Sequence, residues 1–225
     1  MATDQVTNTA RAEILRRVRA ATGGVSDVAA ARVGWDGIAR KYRRKGTRER
    51  EEVLALLEDR LRDYDARVIR VANGAVAQCA MEMLVEREVR RMVIPVGLSI
   101  AWLPCSAGSG GAEFVVDEGL SSRELDDFDG VMTGATLAIA ETGTVVLQNV
   151  SGQGRRAATL VPDYHLCVVR AEDVVETVPE AMGRLQQTKE LATTFVSGPS
   201  ATADIEMTRI KGVHGPRFLD VILIV

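Results

Sequence analysis

Short, almost continuously apolar runs that alternate with helical patterns constrain this fold more than any other feature. Residues 66–71, 91–96, 112–116 and 164–169 are such runs, and a helix is predicted over 75–89. A run without alternation of apolar and polar side chains is typical of a strand covered on both faces, as in a parallel sheet. We therefore predict an α/β fold with a doubly wound, mostly parallel sheet.

The second half of the chain repeats this rhythm. Apolar runs cover 131–140 and 144–150, a helix is predicted over 171–187, and further strands are predicted at 193–196 and 219–225. Because no internal repeat and no low-complexity linker interrupts the series, we expect all of these elements to share one domain.

An N-terminal helical and basic segment, residues 1–46, precedes the predicted α/β domain, residues 47–225. Amphipathic periodicity predicts a helix over 9–21, followed by a loop with one weak helix. A strong helix is predicted from Thr47, whose hydroxyl suits an N-cap. Its predicted buried stripe consists of Val53, Leu54, Leu57 and Leu61.

Charge is distributed unevenly along the chain. The net charge is −3, yet residues 1–50 hold 12 Lys and Arg against 5 Asp and Glu, most densely over 40–50. The basic run is either a solvated loop and helix start or a patch that docks a partner or attracts anions. Only 4% of the residues are aromatic, and the chain is not basic overall, so nucleic-acid binding is not indicated.

The three cysteines, Cys79, Cys105 and Cys167, are far apart and odd in number. Without C-x-x-C spacing, we expect this chain to hold neither a zinc ribbon nor an iron–sulfur cluster. Free thiols are typical of a reducing compartment. Residues 1–24 lack the apolar core of a signal peptide, and no run of about 18 apolar residues occurs. We therefore expect a soluble, cytoplasmic protein.

An apolar run that stops at Glu141-Thr142-Gly143-Thr144 places a carboxylate and two hydroxyls at a predicted strand end. Ligands of open α/β sheets bind outside the carboxyl ends of strands. Glu141 is therefore a candidate general base, nucleophile or anchor for a substrate hydroxyl. Thr142, Gly143 and Thr144 are candidate ligand-binding residues. The alternative is a hairpin turn closed by Gly143.

The segment 151–156 is a candidate anion site. Its glycines let backbone amides approach an anion, and the guanidinium of Arg155 can bind a carboxylate or phosphate. Gly154 and Arg155 are therefore candidate ligand-binding residues. A surface loop with solvated arginines explains the same segment equally well.

Residues 197–206 follow a predicted strand and are expected to open a helical turn. The free amides at a helix start bind anions. The candidate ligand-binding residues here are Ser197, Gly198, Ser200, Thr202 and Glu206. Asp204 is a candidate base or cation ligand. The alternative is that the two carboxylates only complement the helix dipole.

The two histidines receive different interpretations. His214 lies on a turn between Gly212 and Gly215, where an imidazole that titrates near neutral pH suits proton transfer. The alternative is a structural or merely exposed turn residue. His165 begins an apolar strand and is interpreted as a packing or edge residue. Two histidines so far apart predict no metal site.

The motifs occur in a distinctive order. The series runs Thr133-Gly134, Ile139-Ala140-Glu141-Thr142-Gly143-Thr144, Gly154-Arg155, Leu160-Val161-Pro162, His165, Gly198-Pro199-Ser200, Thr202-Ala203-Asp204-Ile205-Glu206 and Gly212-Val213-His214-Gly215-Pro216. This series resembles the LUD-domain family, the lactate-utilisation protein C group of bacteria. The resemblance is strong over about residues 130–225 and covers the preceding part in general layout only.

The resemblance implies a sheet of the sugar-isomerase/CoA-transferase-like (NagB/RpiA-like) type and a role in oxidising L-lactate to pyruvate. It also implies iron–sulfur clusters in separately encoded partner subunits and no cofactor in this chain. Arg155 would then hold a carboxylate, loop 197–202 would offer backbone donors, and Glu141 or His214 would move protons. Since the chain lacks a G-x-G-x-x-G fingerprint, we expect it to be inactive alone.

Two other functions fit the same sequence. One is an autonomous enzyme that converts acyl-CoA or sugar phosphates, which rests on fold analogy. The other is a non-catalytic assembly subunit whose basic segment 40–50 docks an acidic partner.

Overall fold

The computed structural model describes residues 2–23, 27–104, 111–202, 210–211 and 215–225. The chain divides into two compact units, Met1–Tyr42 and Arg43–Val225. The first unit contains helices α1 (Ala2–Ala21) and α2 (Val28–Asp36). No helix in the described part of the chain is long and apolar enough to cross a membrane.

The second unit contains the other helices and all described strands. Its helices are α3 (Arg50–Asp63), α4 (Val76–Glu86), α5 (Ser122–Asp126) and α6 (Val178–Leu185). The strands are β1 (Arg67–Val71), β2 (Arg91–Pro95), β3 (Glu113–Asp117), β4 (Gly130–Gly134), β5 (Leu137–Ile139), β6 (Thr144–Gln148), β7 (Tyr164–Arg170), β8 (Val174–Val175), β9 (Thr193–Val196), β10 (Ala201–Thr202), β11 (Ile210–Lys211) and β12 (Phe218–Ile224).

A six-stranded sheet in the order β1-β12-β7-β4-β2-β3 forms the centre of this unit. Every pair of neighbours in it is parallel. The predicted α/β fold with a parallel sheet and N-terminal helices is thereby confirmed. The continuous apolar runs have the expected cause, because β4 and nearly all of β7 and β12 are buried.

Alternate side chains of β7 lie on opposite faces of the parallel sheet. Leu166 and Val168 belong to the core that contains α4, whereas Cys167 and Val169 belong to the core that contains α3. The predicted stripe of α3 is confirmed, since Val53, Leu54, Leu57 and Leu61 are all buried there. Helices α3 and α4 therefore cover opposite faces of the sheet.

A second sheet was not predicted as a separate layer. Strands β8, β5, β6 and β9 form it in that order, and its β5–β6 and β6–β9 pairs are antiparallel. Its outer face is covered by α6 and its inner face joins the core of α3. Burial on both faces gives β6 a continuous apolar sequence, which is why that run resembled another strand of the parallel sheet.

The start of α3 corrects the prediction for Thr47. The helix begins at Arg50 after the N-cap residue Glu49, whose amide donates to Glu52 Oε2 at 3.2 Å. The amide of Thr47 instead donates to Glu176 Oε2 at 2.7 Å. A carboxylate from a distant part of the chain thus binds the residues that precede the helix, and Glu49 takes the N-cap position predicted for Thr47.

The helix predicted over 171–187 is shorter than expected. Residues Ala171–Asp173 form a 3₁₀ turn, β8 follows, and α6 begins only after Thr177. Thr177 and Glu180 make a capping box, the amide of Thr177 donating to Glu180 Oε2 at 2.9 Å. Pairing of β8 with β5 takes up the residues that the periodicity assigned to the first turns of the helix.

Candidate functional site

A cavity of about 400 Å³ lies at the amino ends of β7 and β12, and we call it the loop cavity. His165 and Leu219, near the starts of these strands, form part of its wall. The rest of the described wall comes from the turn that includes Arg156, from β9, from residues 197–200 and from Pro216. Three predicted ligand-binding residues, Ser197, Gly198 and Ser200, line it.

Gly198 holds residues 197–200 against the end of α3. Its φ is +82°, and a Cβ added there would lie 2.8 Å from the carbonyl oxygen of Tyr64. The amide of Ser200 donates to the carbonyl of Pro216 at 2.8 Å, which ties this loop to the start of β12. The predicted helical turn is wrong at its beginning, because Ala201 and Thr202 form β10, antiparallel to β11.

Pairing of β6 with β9 brings two of the predicted motifs together. The hydroxyl of Thr144 lies 2.7 Å from that of Thr142 and 2.7 Å from that of Ser197. Gly143, with φ +56°, forms the turn between them and packs against the backbone of Arg60 on α3. These hydroxyls form a connected chain beside the loop cavity.

Glu141 lies in the hairpin that joins β5 and β6, as the alternative interpretation proposed. Its carboxylate pairs with Arg43, and its amide donates to the carbonyl of Glu176 at 3.0 Å. The side chain remains about one-third exposed. If Glu141 is catalytic, the same carboxylate must also bind Arg43 of the basic segment.

Glu176 organises the basic segment. Its side chain is 3% exposed and accepts hydrogen bonds from the amides of Thr47 and Arg48 and from the guanidinium groups of Arg43 and Arg48, at 2.7–3.0 Å. The amide of Arg48 contributes most to lowering the pKa of this carboxyl. Part of the basic run thus contacts acidic groups of its own chain.

The two arginines of segment 151–156 differ in role. Arg155 donates to both carboxylate oxygens of Asp117, at 2.7 and 2.8 Å, and also to the carbonyl of Leu120. Arg156 lines the loop cavity and forms no ion pair with another described residue. Gly154 packs against Pro95 at the end of β2, away from this cavity. Sequence reasoning chose Arg155 and missed its neighbour, because spacing does not show where a side chain points.

His165 is 1% exposed and is a wall residue of the loop cavity. Its Nε2 lies 2.8 Å from Thr133 Oγ1, which also donates to Cys167 Sγ at 3.7 Å. Burial lowers the pKa of His165 to about 4 and raises that of Cys167 to about 12. Both groups are therefore neutral at pH 7, in agreement with the packing interpretation of His165.

Three of the predicted residues, Asp204, Glu206 and His214, lie outside the described residues, as does the side chain of Thr202. Within the described part of the chain, no three His, Cys, Asp or Glu side chains are grouped so that they could hold a metal ion. The described site consists of an arginine, hydroxyls and a neutral imidazole.

Comparison with known proteins identifies the family. The sequence pattern described as "LUD domain" matches residues 114–224. "Lactate utilization protein C" of Deinococcus radiodurans is 41% identical over 180 residues, which is 78% of this chain and 81% of that protein. The chain belongs to the LUD-domain family. The described wall of the loop cavity, from Arg156 to Leu219, falls within the matched LUD domain.

Two further similar proteins support this family assignment. "Lactate utilization protein C" of Shouchella clausii is 34% identical over 105 residues, 44% of this chain and 45% of that protein. A crystal structure of a DUF162 family protein from Deinococcus radiodurans has a TM-score of 0.68 at 36% identity, over 80% of this chain and 100% of that chain. The structural similarity therefore extends well upstream of residue 114.

Proposed function

We propose that this LUD-domain chain acts in lactate utilisation, as a subunit of a bacterial system that oxidises L-lactate to pyruvate. The observation that carries the proposal is the similarity to a "Lactate utilization protein C" over four-fifths of that relative's length. The expectation of a sugar-isomerase/CoA-transferase-like sheet belongs to the same proposal. The six parallel strands are compatible with it.

Oxidation of L-lactate to pyruvate removes two electrons and two protons, so the system needs an electron acceptor. The sequence contains neither a G-x-G-x-x-G fingerprint nor C-x-x-C spacing. We therefore assign electron transfer to iron–sulfur clusters in partner subunits. The LUD-domain chain would bind and orient the organic acid.

Arg156 is the best-placed anion ligand of the loop cavity. Its guanidinium is not neutralised by another described residue, and arginine binds carboxylates through paired hydrogen bonds. The hydroxyl of Ser197 and the neutral imidazole of His165 supply polar but uncharged wall groups. This arrangement favours a small anion. The ligand role that the sequence suggested for Arg155 passes to Arg156.

Reconstitution of the chain with its iron–sulfur partners tests the proposal. We expect lactate-dependent electron transfer only in the complete mixture, with a KM raised at least about tenfold by Arg156→Ala, since a lost charged contact costs about 1.4 kcal/mol or more. Arg123→Ala, on α5 and outside the loop cavity, is the matched control.

Two outcomes would contradict different parts of the proposal. If deletion of the gene leaves growth on L-lactate unchanged, the lactate-utilisation role is wrong. If Arg156→Ala supports wild-type kinetics in a competent complex, the role stands and the loop cavity is not the ligand site.

A further inference from the structure

A second cavity lies at the opposite end of the parallel sheet. Strands β2 and β4 are neighbours, but within the parallel sheet the strand that follows β2 in the chain, β3, lies on one side and the strand that follows β4, β7, lies on the other. Such a reversal opens a crevice outside the carboxyl ends of the strands, where α/β sheets bind ligands. A cleft of about 220 Å³ occupies this position, between Gly97 and Gly134, and we call it the strand-end cleft.

Trp102 and Arg170 form one wall of the strand-end cleft. The guanidinium carbon of Arg170, the last residue of β7, lies 5.5 Å from the centroid of the Trp102 ring. Its acidic neighbour, Glu172, is 4.0 Å away, at the outer limit of an ion pair. Since the Arg170 side chain is also 45% exposed, its hydrogen-bond donors remain accessible to a ligand.

Asp173 faces the same cleft from the 3₁₀ turn after β7. Its carboxylate forms neither a hydrogen bond nor an ion pair with another described residue, although it is partly buried. Burial contributes most to raising the pKa of Asp173 and the charge of Glu172 adds to this effect, whereas the charges of Arg184, Arg170 and Arg50 oppose it. A partly buried carboxylate that accepts no hydrogen bond from the described residues is stabilised when a ligand donates one to it.

We propose that the strand-end cleft is a second ligand site, which takes a short hydroxy acid. The ligand's carboxylate would bind Arg170, its hydroxyl would donate to Asp173, and its hydrocarbon part would lie against Trp102. The cleft and the loop cavity are separated along β7 by about 17 Å, from residue 165 to residue 170. The inference goes beyond the proposed function and does not depend on the role of Arg156.

The chain provides its own reporter for this site. It contains two tryptophans, Trp35 and Trp102, so a Trp35→Phe variant emits from Trp102 alone. We expect L-lactate to change this emission in a saturable way. Propanoate, which lacks the hydroxyl, is expected to bind at least about tenfold more weakly, as is usual when a site's polar group is left unpaired.

Substitutions at two residues in the Trp35→Phe background separate the contacts. Titration midpoints are the readout, and thermal melting checks that each variant is folded. Arg170→Ala is expected to weaken the binding of L-lactate and of propanoate alike, and Arg170→Lys is expected to restore part of the affinity. Asp173→Ala is expected to weaken the binding of L-lactate at least about tenfold and to leave the binding of propanoate unchanged, because only lactate has a hydroxyl that donates a hydrogen bond. The matched control, Arg156→Ala, should leave the Trp102 titration unchanged.

The absence of any saturable Trp102 response in the folded protein would overturn the proposal, as would a response that Arg170→Ala leaves intact. Equal midpoints for L-lactate and propanoate, insensitive to Asp173→Ala, would overturn the hydroxyl contact and hence the ligand class. A Trp102 response in a chain that proves dispensable for growth on lactate would support this site while refuting the proposed function.

Discussion

Arg155 and Asp117 form a bidentate ion pair, with both N–O distances below 3 Å. The Asp117 side chain is 2% exposed and also accepts hydrogen bonds from the amides of Gly119 and Leu120. Burial opposes ionisation of Asp117, but the hydrogen bonds from Arg155 and these amides outweigh it and lower its pKa. The arginine of the Gly-x-Gly-Arg sequence thus fixes the segment after β3.

Removal of this ion pair should destabilise the protein. Arg155→Ala leaves a buried carboxylate with fewer donors, and we expect the free energy of unfolding to fall by about 2–4 kcal/mol. Urea denaturation measures the change. The matched variant is the adjacent Arg156→Ala. Its free energy of unfolding should stay within about 0.5 kcal/mol of wild type, because the Arg156 side chain forms no ion pair with another described residue. Equal effects of the two substitutions would contradict these assignments.

Acidification should destabilise the fold through His165. Burial lowers its pKa to about 4, whereas the unfolded chain has a pKa near 6.5. Between these values the unfolded state binds more protons, so stability is fully present above about pH 6.5 and is lost as the pH falls toward 4. The total effect is roughly 3 kcal/mol.

The measurement is the free energy of unfolding as a function of pH in wild type and in His165→Gln. Glutamine can keep a hydrogen bond to Thr133 but does not titrate. We expect a shallower slope between pH 4 and 6.5 in the variant. Identical slopes would show that another group causes the acid sensitivity.

Glu176 should be among the most sensitive carboxylates of the described part of the chain. Glu176→Gln removes a buried charge that faces Arg43 and Arg48, so we expect a loss of about 3 kcal/mol. Glu118→Gln provides an exposed control with an expected change within about 0.5 kcal/mol. Limited proteolysis between residues 40 and 50 gives a second readout, because Glu176 holds this segment. A variant with wild-type stability and cleavage rate would refute that role.

Substitution of Gly198, with Gly183 as the control, tests the geometry of the loop cavity. Gly198→Ala adds a Cβ at positive φ against Tyr64 and should cost about 1–3 kcal/mol. Gly183→Ala, inside α6 with open space around the new Cβ, should raise stability by up to about 1 kcal/mol. Thermal melting compares the two. Tolerance of alanine at position 198 would mean that residues 197–200 do not require the close approach to α3.

The sequence predicted the parallel sheet because its strands are buried on both faces and separated by helices. It did not show that β6 and β9 leave that sheet, since a continuous apolar run has the same appearance in an antiparallel strand covered on both sides. The displaced start of α3 had a similar cause. The Thr47 hydroxyl suits a local cap, but the Thr47 amide donates to Glu176, more than a hundred residues later, and the helix begins only at Arg50.

The candidate site was predicted in part. The sequence marked residues 142–144 and 197–200 as separate candidate ligand-binding segments, and the β6–β9 pairing brings them together. The roles of Arg155 and Arg156 could not be separated from sequence, because adjacent residues of a turn project in different directions. Arg170 and Asp173 belong to no motif. Only the topology of the sheet brings them to the strand-end cleft with Trp102.

Strand β12 occupies an interior position, between β1 and β7. Although β1 is made early, it has no described neighbour in the parallel sheet other than β12. During synthesis on the ribosome, β1 therefore cannot join the sheet until the chain has emerged at least as far as Ile224. The parallel sheet is therefore completed only by its last strand in chain order, and chaperones that shield exposed strand edges have a window in which to act.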